Sequence, residues 1–221
     1  MAASTRLDLA QACTVTITLC AVVVTGLVVR REIRPVARPT VERTTPIVGR
    51  PVPGNAPLPS TQLVSDSGGT VRVIEFADFE CPFCADAAMA IDRFSKEHPR
   101  LISIEFHHLP IPGHRYARAA AQAAECAGEQ HRFREFYFLA YANQSKLGQW
   151  SWKEFGRRSG VPDPSEFEAC VESGRFGARI DADIAAATTL GLRGTPSWVV
   201  RDSIYGGVPP RSQLALWVAT R

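Results

Sequence analysis

No aromatic residue occurs before Phe76, although the 221-residue chain holds 11 Phe, 4 Tyr and 4 Trp. Aromatic side chains dominate core packing, so roughly the first 60 residues are expected to build no core of their own. A charge excess is also missing from most of the chain. The formal net charge is +3, and residues 30–60 alone hold Arg30, Arg31, Arg34, Arg38, Arg43 and Arg50 against Glu32 and Glu42. The rest is close to neutral, which lacks the basic footprint of a nucleic-acid-binding protein. Metal-ligand spacing is scarce too. A structural zinc site takes about four ligands, commonly from two paired motifs. One CxxC is present, Cys81-Pro82-Phe83-Cys84, with no second CxxC and no paired-histidine motif. His107 and His108 are adjacent, so on a strand they point to opposite faces. No metal and no cofactor is expected.

What the N-terminus does hold is an uncharged, mostly apolar run from Ala10 to Val29, after a short tail over residues 1–9. Twenty helical residues span about 30 Å, the thickness of a bilayer core. We read a transmembrane anchor. The rival is a cleaved signal peptide, whose apolar core is shorter and ends in a small-x-small site. Here the run ends in Val28-Val29-Arg30-Arg31. Cys13 and Cys20 fall inside the span and read as small apolar residues, or as a link to a second copy. Residues 30–60 contain seven prolines. Proline favours extended polyproline backbone, so this is a semi-rigid linker of up to about 90 Å.

The remainder, 61–221, reads as one α/β domain. Val71–Ala77 is β-branched and aromatic, a strand. Pro82 opens a helix that stops before Pro99. Leu101–Leu109 is a second strand. Helices follow over Tyr116–Ala127, Arg132–Ala142, Ser151–Arg158, Pro164–Ser173 and Arg175–Thr189. Strands over Thr195–Val200 and Ser203–Tyr205 and a helix over Ser212–Ala219 close the chain. Helices on the faces of a mixed sheet fit this order.

Cys81 and Cys84 lie where a strand turns into a helix. Thiolate, not thiol, is the nucleophile, and a helix N-terminus in a CxxC motif lowers a cysteine pKa from about 8.5 to roughly 3.5–7.5. Cys81, at the cap, is the expected exchanging sulfur. Cys84, one turn in, is the expected resolving sulfur.

The segment Phe76-Ala77-Asp78-Phe79-Glu80-Cys81-Pro82-Phe83-Cys84 resembles the active-site segment of DsbA-like proteins in the thioredoxin superfamily. Leu109-Pro110, His114, Ala124-Glu125-Cys126-Ala127, Gln130 and Gly194-Thr195-Pro196-Ser197 match in the same order. The resemblance covers about residues 62–221. It implies a thioredoxin-like fold with a helical insertion at about 114–174. It implies a cis-proline loop at Thr195-Pro196 that, with Pro82 and Phe83, receives the substrate segment; the alternative is a trans proline opening a strand. Glu75 matches a buried acid that takes the proton from Cys84; the alternative is a solvent-facing strand residue. Cys126 and Cys170 match positions often joined by a second disulfide; the alternative is two free cysteines. Asp78 and Glu80 are expected to be surface charges. His98, His107, His108 and His131 are expected to be surface or strand-packing residues.

The implied function is thiol–disulfide exchange with cysteine-containing exported proteins, served by a separate redox partner, with the protein monomeric. Alternatives are a reductase or isomerase using the same site, or a non-catalytic redox or metal-binding assembly factor. The second disulfide and the anchor place the domain on the extracytoplasmic, periplasmic side. Arg30, Arg31, Arg34 and Arg38 point the other way by the positive-inside rule.

Overall fold

The computed structural model describes residues 47–53, 58, 62–65 and 71–219. The expected membrane span, with Cys13 and Cys20, lies outside the described residues, as does most of the linker. Among the described residues no helix is long and apolar enough to cross a membrane.

The described strands are β1 (Arg50–Pro51), β2 (Gln62–Ser65), β3 (Val71–Ala77), β4 (Ile102–His108), β5 (Ser197–Val200) and β6 (Ser203–Gly206). They form one sheet in the order β1-β6-β5-β3-β4-β2. β3 runs parallel to β4, and every other neighbouring pair is antiparallel. β3 lies at the centre, with all its residues except Arg72 buried. Such a strand is covered on both faces, which explains its nearly continuous apolar run. Glu75 interrupts that run and is fully buried, level with Phe106 on β4 and Trp198 on β5.

Helix α1 (Pro82–Glu97) follows β3 directly. Pro82 stands in its first turn, where a missing N–H costs no intrahelical bond. Between β4 and the last strands lie α2 (Ala117–Glu129), α3 (Phe133–Ala142), α4 (Trp152–Ser159), α5 (Pro164–Ser173) and α6 (Gly177–Thr189); α7 (Arg211–Ala219) ends the domain. Local chemistry sets the limits of α4 and α5. The Ser151 side chain accepts from the Glu154 N–H, and the Asp163 side chain accepts from the N–H groups of Ser165 and Glu166. Both helices end at a left-handed glycine, Gly160 (φ 74°) and Gly174 (φ 63°).

The sheet separates two apolar cores. The larger packs Val73, Ile104, Phe106 and Trp198 with Ala87, Ile91 and Phe94 of α1, with α2 to α5, and with Leu214 and Trp217 of α7. The smaller packs Ile74, Phe76, Val199 and Ile204 against Ala186, Ala187 and Leu190 of α6. Alternation along β3 sends odd and even residues to these two cores. A disulfide joins Cys126 of α2 to Cys170 of α5, closing a 44-residue separation.

Two expectations need correction. A linker reaching residue 60 is the expectation, yet Arg50 and Pro51 pair with Ile204 and Ser203, and the Ile47 N–H donates to Gln213 Oε1 at 2.7 Å. Two-residue pairing beside prolines leaves no periodicity to read. The strand expected from Thr195 begins at Ser197, because Thr195 and Pro196 belong to the preceding loop. His107 and His108 pack from the strand, one of the two places expected for them; they point to opposite faces and both are fully buried. His107 Nδ1 lies 2.7 Å from Asp183 Oδ1 and stacks on Phe76, while His108 Nε2 lies 2.9 Å from Glu125 Oε1. Each ring pairs one nitrogen with a buried acid, while His107 Nε2 and His108 Nδ1 are buried without a partner.

Candidate active site

The β3–α1 turn puts Cys81 at the N-cap of α1 in extended backbone (φ −74°, ψ 121°). Its carbonyl accepts the N–H groups of Cys84 and Ala85, which starts the helix. Gln144, in the turn after α3, donates one Nε2 to the carbonyls of Phe79 (2.9 Å) and Cys81 (2.8 Å). Cys81 keeps a sliver of exposure, and Cys84 is completely covered. Both are free thiols. Pro82 and Phe83 stand out between them, with Phe83 61% exposed.

The loop before β5 closes over Cys81. The Thr195–Pro196 peptide bond is cis, and the Cys81 thiol donates to the Thr195 carbonyl at 3.5 Å. The buried Thr195 hydroxyl has no other partner and is free to donate once Cys81 is a thiolate. A groove of about 730 Å³ runs beside this loop, lined by Arg193, Thr195, Pro196 and Tyr205 among others.

The two sulfurs are electrically unlike. The hydrogen bond from Cys84 pulls the Cys81 pKa down to about 5, helped by Thr195 and the Cys84 and Phe83 N–H groups, against the opposing effect of burial. The positive end of α1 acts in the same direction. Burial pushes Cys84 far above the usual thiol range, and the neighbouring Cys81 adds to the rise. Thus one sulfur is a nucleophile near neutrality and the other holds its proton.

Glu75 supplies a proton site beneath them. Burial raises its carboxyl to about 8, partly offset by the hydrogen bond from the Tyr137 hydroxyl at 2.9 Å. Its other oxygen is buried without a partner, and its charge is felt at Cys84. Tyr137 was not legible as a site residue, since it sits 62 positions away on the inner face of α3.

Asp78 and Glu80, expected at the surface, are not there. Asp78 is 2% exposed. Its Oδ1 accepts from the Glu80 N–H at 2.7 Å, and its Oδ2 from the Ile111 N–H at 2.8 Å and His114 Nδ1 at 2.7 Å. Glu80 is partly covered and accepts from the Tyr116 N–H at 2.6 Å. These acids cap backbone N–H groups of a loop more than 30 residues later, which sequence spacing does not reveal. Among the described residues no cluster of His, Cys, Asp and Glu could hold a metal ion.

A thioredoxin family model matches residues 62–218. Among solved structures, a thioredoxin-like oxidoreductase from Silicibacter pomeroyi superposes with a TM-score of 0.62 at 28% identity, covering 73% of this chain and 91% of that one. DsbA2 of Pseudomonas aeruginosa is 26% identical, with a TM-score of 0.55, over 73% of this chain and 94% of that one. BdbD of Bacillus subtilis shares the fold at 15% identity, with a TM-score of 0.64, over 79% and 97%. Among curated proteins, Na(+)/H(+) antiporter NhaA 3 of Salinispora tropica is 33% identical over 138 residues. That stretch is 62% of this chain and 21% of that protein, so the chain spans about a fifth of the length of such relatives. With a family model running from β2 through the helical block into α7, the chain belongs to the thioredoxin superfamily, in its DsbA-like branch.

Proposed function

We propose that this protein exchanges disulfides with cysteine-containing exported proteins through Cys81 and Cys84. The observation that carries the reading is the asymmetry of the pair: a stabilised Cys81 thiolate under the Thr195–Pro196 loop, and a covered Cys84 above a buried acid. In the oxidised protein a substrate thiolate attacks Cys81 Sγ. The Cys81–Cys84 bond breaks, and Cys84 leaves, taking the proton held by Glu75. A second substrate thiolate then attacks the mixed disulfide, and Cys81 departs as a thiolate. The substrate gains a disulfide, and the protein gains two electrons and must pass them to a redox partner. Thr195, Pro196, Pro82 and Phe83 frame the substrate segment around the reacting sulfur.

The direction follows from thiolate stability, because a group that stabilises the reduced form makes the disulfide a better oxidant. A Cys81 pKa of about 5 lies between those of strongly oxidising and reducing relatives, about 3.5 and about 7. This favours net oxidation over reduction or isomerisation. The placement proposed is extracytoplasmic, tethered by residues 10–29. The Cys126–Cys170 disulfide supports it, since such bonds persist outside the cytosol.

The test is to express the full chain as Cys84→Ala and probe for covalent adducts. Reducible adducts mapped to Cys81 are expected, because no resolving sulfur remains. Their absence, with the wild type equally unable to oxidise a dithiol peptide, would remove the reading.

A further inference from the structure

The Asp78 carboxylate is fully buried three residues before the reacting cysteine, yet the exchange steps above do not use it. Its main chain touches both sulfur-bearing residues: its carbonyl accepts from the Cys81 N–H at 3.1 Å, and a main-chain hydrogen bond from Asp78 reaches the Cys84 sulfur. Its side chain takes two backbone N–H groups and His114 Nδ1. The charged groups around His114 are Asp78 and Glu80 from the turn and Cys81 from the start of α1. On its own loop Arg115 points its guanidinium over the Tyr116 ring, at 5.6 Å. The turn therefore gathers three potential negative charges, with His114 facing all of them.

We propose that His114 is a positioning residue for the exchange reaction: by holding a proton against the buried Asp78 carboxylate, it sets how readily Cys81 becomes a thiolate. This rests on the exchange reading given above. With the proton in place, Asp78 and His114 cancel, and the thiolate faces a neutral pair. Without it, the thiolate faces a buried anion, and like charges disfavour each other. Hydrogen bonding to Asp78 raises the His114 pKa; burial opposes it, and the charges of Asp78, Glu80 and Cys81 add to the rise. His114 thus holds its proton to higher pH than a free imidazole. Linkage makes the effect mutual: a Cys81 thiolate strengthens proton binding at His114, and an uncharged disulfide weakens it.

The redox balance follows. Reducing the disulfide takes two electrons from the substrate dithiol and gives a Cys81 thiolate and a Cys84 thiol, which consumes one proton. Where His114 is only partly protonated in the oxidised form, reduction draws a further fraction of a proton onto it. The potential therefore falls more steeply with pH across the His114 titration than one proton per two electrons requires.

Full-chain wild type, His114→Gln, Asp78→Asn and the double variant test this. Cys81 thiolate absorbance near 240 nm is titrated, and the glutathione equilibrium constant is read at pH 6. In His114→Gln the Cys81 pKa should rise by at least about half a unit, with roughly a threefold loss in the equilibrium constant toward the reduced form. The double variant, which again has a neutral pair, should return both toward wild type. A merely structural role predicts additive losses and no rescue. Unchanged thiolate titration in His114→Gln overturns the proposal, as does a double variant worse than either single. Should a variant fail to fold, the wild type decides. It has five histidines, and the His114 ring titration followed by NMR should lie at higher pH in the reduced than in the oxidised protein. Equal values in both forms refute the coupling. If the wild type shows the coupling but exchanges with no protein thiol, the functional reading falls and the inference about His114 stands.

Discussion

Burial of Glu75 makes stability depend on pH. In the unfolded chain its carboxyl ionises near pH 4.5, and in the fold only near 8. The sign follows from linkage: the folded form holds the proton longer, so stability declines as pH rises from about 4.5 to about 8 and is flat above that. The cost above pH 8 is of the order of 4–5 kcal/mol. Glu75→Gln keeps the shape and removes the charge. It should abolish most of this decline in denaturant midpoints measured from pH 5 to pH 9, and slow resolution of the mixed disulfide at least about tenfold, since the shuttled proton is lost. A variant with an unaltered pH profile would show that Glu75 ionises as an ordinary carboxylate. At Cys81, the rate of iodoacetamide alkylation should be half-maximal near pH 5, with Cys84 unmodified. A midpoint near the ordinary value of about 8.5 would contradict the helix-cap account.

At the scale of elements, the site depends on contacts between segments distant in sequence. Cys81 itself was legible, because strand-to-helix punctuation and Pro82 fix its place at a cap. The partners around it are less legible. Tyr137 reaches Glu75 on β3 from 62 positions away and Gln144 reaches the β3–α1 turn from 63, and nothing local in their sequence marks the encounter; His114 stands out as a family match, but its pairing with Asp78 36 positions earlier does not. The same cause hid Asp78, whose chemistry as a turn cap looks identical to that of a solvated acid until its later partners are placed. Helix limits were read to within about two residues because Ser151, Asp163, Pro164 and the terminal glycines act locally, whereas β1 and β2 draw their order from the strands they pair with. The α2–α5 disulfide is the clearest element-level lever. Replacing Cys126 and Cys170 by Ala should cost about 4 kcal/mol by loop-closure arguments, read as a lower denaturation midpoint, while Cys81 reactivity persists. Equal midpoints for both proteins would mean that packing of Phe167 and Phe155 alone holds α5 in place. Gln144→Ala should cost about 1–3 kcal/mol, read as a lower denaturation midpoint, by removing the donor to the Phe79 carbonyl; the Cys81 carbonyl keeps the N–H groups of Cys84 and Ala85.

For the whole molecule, the proposed thiol-exchange domain follows the apolar run Ala10–Val29 in the sequence. That span should keep the full chain with membranes through carbonate extraction, and removing residues 1–29 should release it. Protease added to intact spheroplasts should then reach the domain if it faces outward, as the Cys126–Cys170 bond suggests. Central to all of this is that Cys81 and Cys84 form an exchangeable and oxidising pair. Equilibration of the full chain against glutathione buffers, with the Cys81–Cys84 state read by mass spectrometry, tests it most directly. The account predicts a potential well above about −270 mV, shifted toward about −120 mV by the stabilised Cys81 thiolate. A value at or below about −270 mV, or no exchange with glutathione at all, would contradict it.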